Sequence, residues 1–380
     1  MTSPIRLFKA SSFHSGALAA HYGDRPGLEG ESFANQWKSL TGELLVGTDF
    51  WKEGLEEGGR FEVFETVLNC TPLQSAWARE NGVREGTPKE ILLAQVEMFR
   101  PMVFFSHDFE VLDEGFRNEV RRRVPSVRLI MGWDGIGRCD ARFFGGCDLM
   151  LSCIPHVVDY YVSQSVDSKL FPYSFNDKIL DLIPKTGRRS SVGFTGSIQL
   201  KSRLHFQRAE ALYRAVSELR VDLHASGSVT KWKWREREQR RRLRHLQFRQ
   251  AWVTRVLGRA NRGPLFGLPM YRFMANSGVI LNMHIDAAKG QASNMRLFEA
   301  TGVGACLLTD WQSDLSNYFE PDVEVATYRN SRELVERARH LLNSPLEREE
   351  IARAGQRRTL RDHTFRRRAA VLEAILRDHL

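Results

Sequence analysis

Apolar runs of strand length alternate with amphipathic stretches along nearly all of this 380-residue chain, and that rhythm leaves few folds open. A short continuous apolar run suits a strand buried on both faces of a parallel sheet. Joining it to a parallel neighbour needs a crossover of helix length. Strands are expected at 5–9, 44–46, 61–64, 102–106, 127–133 and 149–153, with helices at 33–40, 88–98, 115–123 and 156–164. The second half repeats the pattern. Strands at 191–195, 221–225, 279–283, 305–308 and 324–328 alternate with helices at 203–219, 269–275, 331–342, 346–355 and 364–376. The expected fold class is therefore α/β, with two Rossmann-like units. The length exceeds one ordinary domain, and Pro172, Pro184, Gly187 and two arginines break the pattern between Phe175 and Arg189. The division expected is 1–178, 179–362 and a final helix in 363–380.

Composition excludes several classes. The first twenty residues lack the apolar core of a secretory signal, and no run approaches the roughly 20 apolar residues that span a bilayer, so a soluble, cytoplasmic protein is expected. Five cysteines, odd in number and without a Cys-x-x-Cys pair, argue against a disulfide framework and a zinc site.

The formal charge of +9 is concentrated. Lys231 to Arg249 holds nine Lys or Arg against Glu236 and Glu238, a surplus of seven, interleaved with Trp232, Trp234 and Phe248. Leu243, Leu246, Val253 and Leu257 fit one side of a helix. Such a helix either packs by a narrow apolar stripe with a solvated basic face, or lies peripherally on an anionic membrane through 231–257. Nucleic acid is the least favoured partner.

The segment from Ser293 to Asp310 says most about chemistry. It reads as loop, short helix, glycine turn and buried strand. Ser293 or Asn294 can cap the helix, whose first N–H groups suit a phosphate, with Met295 beside them. Arg296 and Glu299, three apart, share a helix face, where a guanidinium can fork onto phosphate oxygens and a carboxylate can accept ribose hydroxyls. The alternative is a plain Arg–Glu pair on a solvated face. Gly302 is expected to end the helix in a left-handed conformation. A second phosphate-facing turn is expected at Phe194-Thr195-Gly196-Ser197, followed by Lys201 and Arg203.

From Arg296 to Leu376 the chain resembles the C-terminal half of glycosyltransferases grouped with spore maturation proteins, a branch with GT-B architecture. The resemblance rests on Arg296-x-Phe298-Glu299, Gly302 and Gly304 before a strand, the Tyr-Phe-Glu-Pro turn within 315–324, Leu334, Leu341-Leu342, and His363-Thr364-Phe365 followed by Arg366 to Arg368. It implies two Rossmann-like domains facing a cleft, with the last helix crossing back to the first. It also implies that Gly196, Lys201 and Arg203 face a diphosphate, that Glu299 meets the ribose, and that His284 lies beside the donor. Many retaining relatives carry Glu eight residues before the ribose glutamate. Here that position is Gln291, which leaves the stereochemical course open.

Asp108 and Asp134 each follow a strand of the first half, and His14 lies in the loop after the first strand. Ligands of open α/β sheets bind beyond the carboxyl ends of strands, so each is a candidate general base. The reading that results is a metal-independent glycosyltransferase with no cofactor. It moves a sugar from a nucleotide-sugar donor to a hydroxyl acceptor, such as a bacterial surface glycan or its lipid-linked precursor. A nucleotide-sugar epimerase of the same fold and a nucleic-acid binder acting through 231–249 are its rivals.

Overall fold

Every strand pairs in parallel, as the continuous apolar runs require. The computed structural model describes residues 3–42, 50–84, 86–108, 111–137, 140–184, 191–199, 205–227 and 244–380. The chain divides into two compact units, one of Met1–Pro172 with Thr364–Leu380, the other of Tyr173–His363. The expected strand at 44–46, Lys201, Arg203, and residues 231–243 of the basic segment lie outside the described residues.

In the first unit the strands are β1 (Ile5–Ser11), β2 (Phe61–Val67), β3 (Val103–Ser106), β4 (Leu129–Asp134), β5 (Leu149–Ser152) and β6 (Asp167–Leu170). They form one sheet in the order β2-β1-β3-β4-β5-β6. All six residues of β4 are buried, which identifies a central strand covered on both faces. Phe8, Phe104 and Ile130 pack on one face with Leu92, Val96, Phe116 and Val120. Two helices on that face start from strong caps. Thr87 and Glu90 form a capping box before Pro88, and Asp113 accepts from Phe116 N. On β1, Lys9 is fully buried and lies 3.3 Å from Glu65 of β2, its register partner.

The final helix Phe365–His379 packs on this unit. Phe365 meets Trp51 edge-on, Ala369 closes against Gly54, and Glu373 pairs with Arg60 at 2.6 Å.

The second unit contains β7 (Val192–Ser197), β8 (Val221–Ser226), β9 (Val279–Asn282), β10 (Cys306–Asp310) and β11 (Ala326–Tyr328), ordered β11-β10-β9-β7-β8. Val192, Leu212, Leu281, Leu308, Leu334 and Leu341 are among its core residues. Val253 and Leu257 of the helix Arg244–Ala260 join that core, so this part of the apolar stripe faces protein, not a membrane.

Several expectations are corrected. The first unit ends at Pro172, because Phe175 belongs to the second: its N–H bonds to His363 O and its ring lies against Gly302. Residues 194–197 are strand, with Gly196 paired to Ala225, so the turn begins later. The left-handed residue after the helix Arg296–Gly302 is Gly304, at φ 74°. Gly302 is small for another reason: a Cβ there would lie 2.3 Å from Phe175 Cγ. Gly355 likewise does not end its helix, which runs Pro345–Asp362, and a Cβ there would meet Glu324 O at 2.3 Å. Helices Ser15–Gly23, Phe50–Glu56 and Thr71–Glu80, and the polar edge strand β6, are additions to the expected elements.

Candidate functional site

Sheet topology locates the most structured candidate. In the second unit β8 lies on one side of β7 and β9 on the other, so strand order reverses between β7 and β9. Ligands in open α/β sheets bind outside the carboxyl ends of strands at such a reversal. Ser197 ends β7 there, Met283 and His284 follow β9, and Asp310 ends β10.

Arg208, on the helix Phe206–Glu218, ties these ends together. It is buried, and donates from Nη1 to Ser197 O at 2.9 Å and from Nη2 to Met283 O at 2.6 Å. Burial pushes its pKa down to about 10, while the charges of Asp310 and Asp286 act the other way. Next to it His205 accepts from Gln199 N at 2.9 Å, and burial, then the Arg208 charge, holds its imidazole neutral, down to about 3.

His284 and Asp310 form a pair. The Asp310 carboxylate accepts from His284 N at 3.0 and 3.1 Å, and Oδ1 lies 2.7 Å from Nδ1. Thr309 Oγ1 and Gln312 Nε2 also donate to it. Burial would raise the Asp310 pKa, but the charge His284 carries when protonated, together with these hydrogen bonds, holds it below the ordinary value. The His284 side chain is 2% exposed, and its Nε2 makes no hydrogen bond among the described residues. Neither do the buried atoms Arg208 Nε, Asp286 Oδ1, Gln312 Oε1 and Asp314 Oδ2.

Asn294 organises the next loop. Its Oδ1 accepts from Arg296 N at 2.8 Å, and its Nδ2 donates to Asn282 Oδ1 at 2.7 Å. It thus caps the helix Arg296–Gly302 and pins it to the end of β9. Ser293 is buried and Met295 occupies the N-cap position without a side-chain bond. Arg296 and Glu299 do pair, at 2.6 Å, yet not on a solvated face: their side chains are 14% and 4% exposed. Tyr271 donates its hydroxyl to Glu299 Oε1 at 3.2 Å, and Arg296 Nη1 also points at the sulfurs of Met270 and Met274. The carboxylate expected to meet a ribose thus has Arg296 and Tyr271 as partners within the protein. Burial, then the Glu299 charge, pushes the Tyr271 phenol well above its usual range.

Three candidate bases fall in the first unit. His14 is exposed and accepts through Nδ1 from Gly16 N, capping the helix Ser15–Gly23. Asp108 is half-buried, with Oδ1 accepting from Val111 N at 3.3 Å. The first sheet's own reversal falls between β1 and β3, whose ends lead to His14 and Asp108. Asp134 differs. It is fully buried, Oδ1 accepts from Ile136 N and Gly137 N, and Oδ2 takes the Tyr161 hydroxyl at 2.8 Å. That carboxylate organises the turn after β4 and holds the Tyr161 hydroxyl.

Arg208, Asp310 and Asp286 were not among the residues expected at the site. Asp310 follows a strand as Asp108 and Asp134 do, so the same positional rule points to it. Arg208 carried no signal beyond a charged residue in an amphipathic helix.

Residues 206–374 match a family model described as glycosyl transferase-like. Sucrose-phosphate synthase from Thermosynechococcus elongatus has a similar structure, with a TM-score of 0.57 at 10% identity, covering 98% of each chain. HepE of Anabaena, solved with UDP-glucose, matches with a TM-score of 0.58 at 11% identity, covering 98% of this chain and 100% of that one. This is the GT-B fold of glycosyltransferases. A further GT-B structure, AviGT4, a glycosyltransferase involved in avilamycin A biosynthesis, matches with a TM-score of 0.54 at 12% identity, covering 98% and 96%. Among curated proteins no sequence match is found. The structural matches to the GT-B fold take in both units, whereas the family model covers the second from the helix Phe206–Glu218 onward and part of the final helix. Among the described residues no helix is long and apolar enough to cross a membrane, and no cluster of three His, Cys, Asp or Glu has metal-binding geometry.

Proposed function

We propose that this GT-B protein is a glycosyltransferase that takes a sugar from a nucleotide-sugar donor, held mainly by the second unit, and passes it to a hydroxyl acceptor. One observation carries the reading. Buried polar atoms without a partner among the described residues, on Arg208, His284, Asp286, Gln312 and Asp314, belong to residues at or following the carboxyl ends of β7, β9 and β10. Buried polar groups are otherwise almost always paired, so their concentration at a topological reversal supports a polar ligand there. HepE, which shares the fold, has been solved with UDP-glucose and with UDP and glucose, which supports a nucleotide sugar as that ligand.

In the transfer, the bond between the anomeric carbon and the diphosphate oxygen breaks, and its electron pair stays on the diphosphate. An acceptor hydroxyl oxygen bonds to the carbon, and its proton leaves to a base, for which His14 and Asp108 are the candidates. Negative charge grows on the leaving group, so fixed cations lower the barrier. Arg208 supplies one such charge and Arg296 another; Lys201 and Arg203, outside the described residues, are assigned to the same role with the Gly196–Ser197 strand end. The proposal gives this role to the chain's cations rather than to a metal ion, and loss of turnover on adding EDTA would count against that part. Glu299 meets the ribose in the ligand-bound state, after Tyr271 and Arg296 yield its carboxylate. The acceptor is a glycan or lipid-linked precursor, met at the inner face of a bacterial membrane.

Thermal-shift screening against UDP-, GDP-, dTDP- and CMP-sugars tests the donor, because a ligand of the folded state raises its melting temperature. At 100 times Kd the stabilisation is about 2.7 kcal/mol. Release of free nucleotide only when acceptor is added separates transfer from epimerisation. A panel with no stabilising nucleotide sugar would refute the reading.

A further inference from the structure

We infer that His284, oriented by Asp310, is the proton-bearing contact for the donor diphosphate, so that binding a nucleoside diphosphate takes up a proton at Nε2. The inference rests on the donor site proposed above and adds to it the reacting atom of His284, its orientation by Asp310 and a linked proton.

Orientation comes first. Asp310 Oδ1, 2.7 Å from His284 Nδ1, accepts the Nδ1–H and so leaves Nε2 as the ring atom free for a ligand. The backbone His284 N–H is held by the same carboxylate, which locks main chain and ring together. Rotation about the side chain is thereby restricted, and among the described residues Nε2 makes no hydrogen bond although the side chain is only 2% exposed. An imidazole nitrogen so buried either loses its hydrogen bond or receives one from a ligand, and the former costs about 1–3 kcal/mol.

Charge then decides the chemistry of that ligand. The ionisable groups acting here are Asp310 on β10, Asp286 in the loop after β9, Arg208 and His205 around the start of the helix Phe206–Glu218, Arg296 with its partner Glu299, and Tyr328 on β11. His205 is neutral and the Tyr328 phenol is held well above its usual range by burial, so neither contributes charge near neutral pH. Among the described residues the two arginines, Arg208 and Arg296, stand against the carboxylates of Asp310, Asp286 and Glu299, so a proton gained with the diphosphate improves the local balance of charge. A proton on His284 offsets one carboxylate and turns Nε2 into a donor. As the anomeric bond breaks, its electron pair settles on the diphosphate oxygen, to which Nε2–H donates without transferring its proton. Such charge-assisted bonds are stronger than neutral ones.

Isothermal titration of the full chain with UDP, GDP and dTDP, and with inorganic pyrophosphate as a base-free probe, reads the linked proton when repeated at pH 8 in buffers of different ionisation enthalpy. The expected result is uptake of up to about one proton per ligand bound. That uptake disappears in His284→Gln, which keeps a hydrogen-bond donor, and affinity at pH 6 falls about 10-fold or more. Asp310→Asn, which removes the charge while keeping the shape, reduces the uptake as well, and circular dichroism and melting curves establish that each variant is folded. Tight binding without proton uptake, or uptake unchanged in His284→Gln, overturns this inference and leaves the nucleotide-sugar reading standing. Absence of binding by every diphosphate overturns both.

Discussion

Gly302→Ala separates two accounts of one glycine. If Gly302 were needed for a left-handed cap, alanine would be strained by its backbone. Its φ is not positive, and what forbids a side chain is Phe175: an added Cβ would lie 2.3 Å from Cγ and 2.5 Å from both Cδ atoms. Phe175 is 1% exposed, and its own N–H is tied to His363 O, so the ring cannot swing away without moving the backbone. Overpacking of this kind costs about 1–3 kcal/mol. For a unit of this size each kcal/mol shifts the melting temperature by about 2–4 °C, so a drop of about 4–8 °C is expected from the middle of that range. Phe175→Leu in the same background should recover part of the loss by vacating space, although Phe175→Leu alone is destabilising. Gly58→Ala, where nothing lies within 4 Å of the added Cβ, is the control and should shift melting by less than about 1 °C. Differential scanning fluorimetry suffices as the assay. A Gly302→Ala protein that melts with the wild type, or one that Phe175→Leu only worsens, refutes the packing argument.

Three further outcomes are expected. Lys9→Met leaves Glu65 buried without its cation and should cost about 3–5 kcal/mol in urea unfolding, whereas Lys9→Met with Glu65→Leu recovers most of it; equal losses in both would refute the pairing. Asp310 has a folded pKa below its unfolded value because the interactions with His284 and Thr309 outweigh its burial. Its contribution is therefore full above the ordinary carboxylate pKa near 4 and is lost as pH falls through the lower folded value, and Asp310→Asn should flatten the acid limb of the stability curve. Asn294→Ala removes both the cap on Arg296 N and the bond to Asn282, and should lower stability by about 1–2 kcal/mol, with faster amide exchange confined to the helix Arg296–Gly302.

Strands were legible wherever both faces are buried, since Leu149–Ser152 or Val279–Asn282 can hardly be anything else. The polar edge strand Asp167–Leu170 was not, because one buried position in four gives no period to detect. Capped helices announced themselves: Thr87, Pro88 and Glu90 mark a start from neighbouring residues alone. The glycines misled, because Gly302 and Gly355 answer to Phe175 and Glu324, which are distant in sequence. The candidate site divides the same way. Arg296 and Glu299 were visible as a spaced pair, but their sequestration depends on Tyr271 from another helix. Arg208 became visible only through the strand ends it bridges, Ser197 and Met283.

Because Phe365–His379 packs on Phe50–Glu56, the first unit draws on residues from both sides of the second, and it cannot gain these contacts on the ribosome until residues 365–379 have been made. The second unit, uninterrupted in sequence, is free to form earlier. A nascent chain arrested short of residue 364 should thus expose Trp51 and Gly54 to chaperones, and a bulky insertion within Phe365–His379 would disturb a unit most of which lies far from it along the chain.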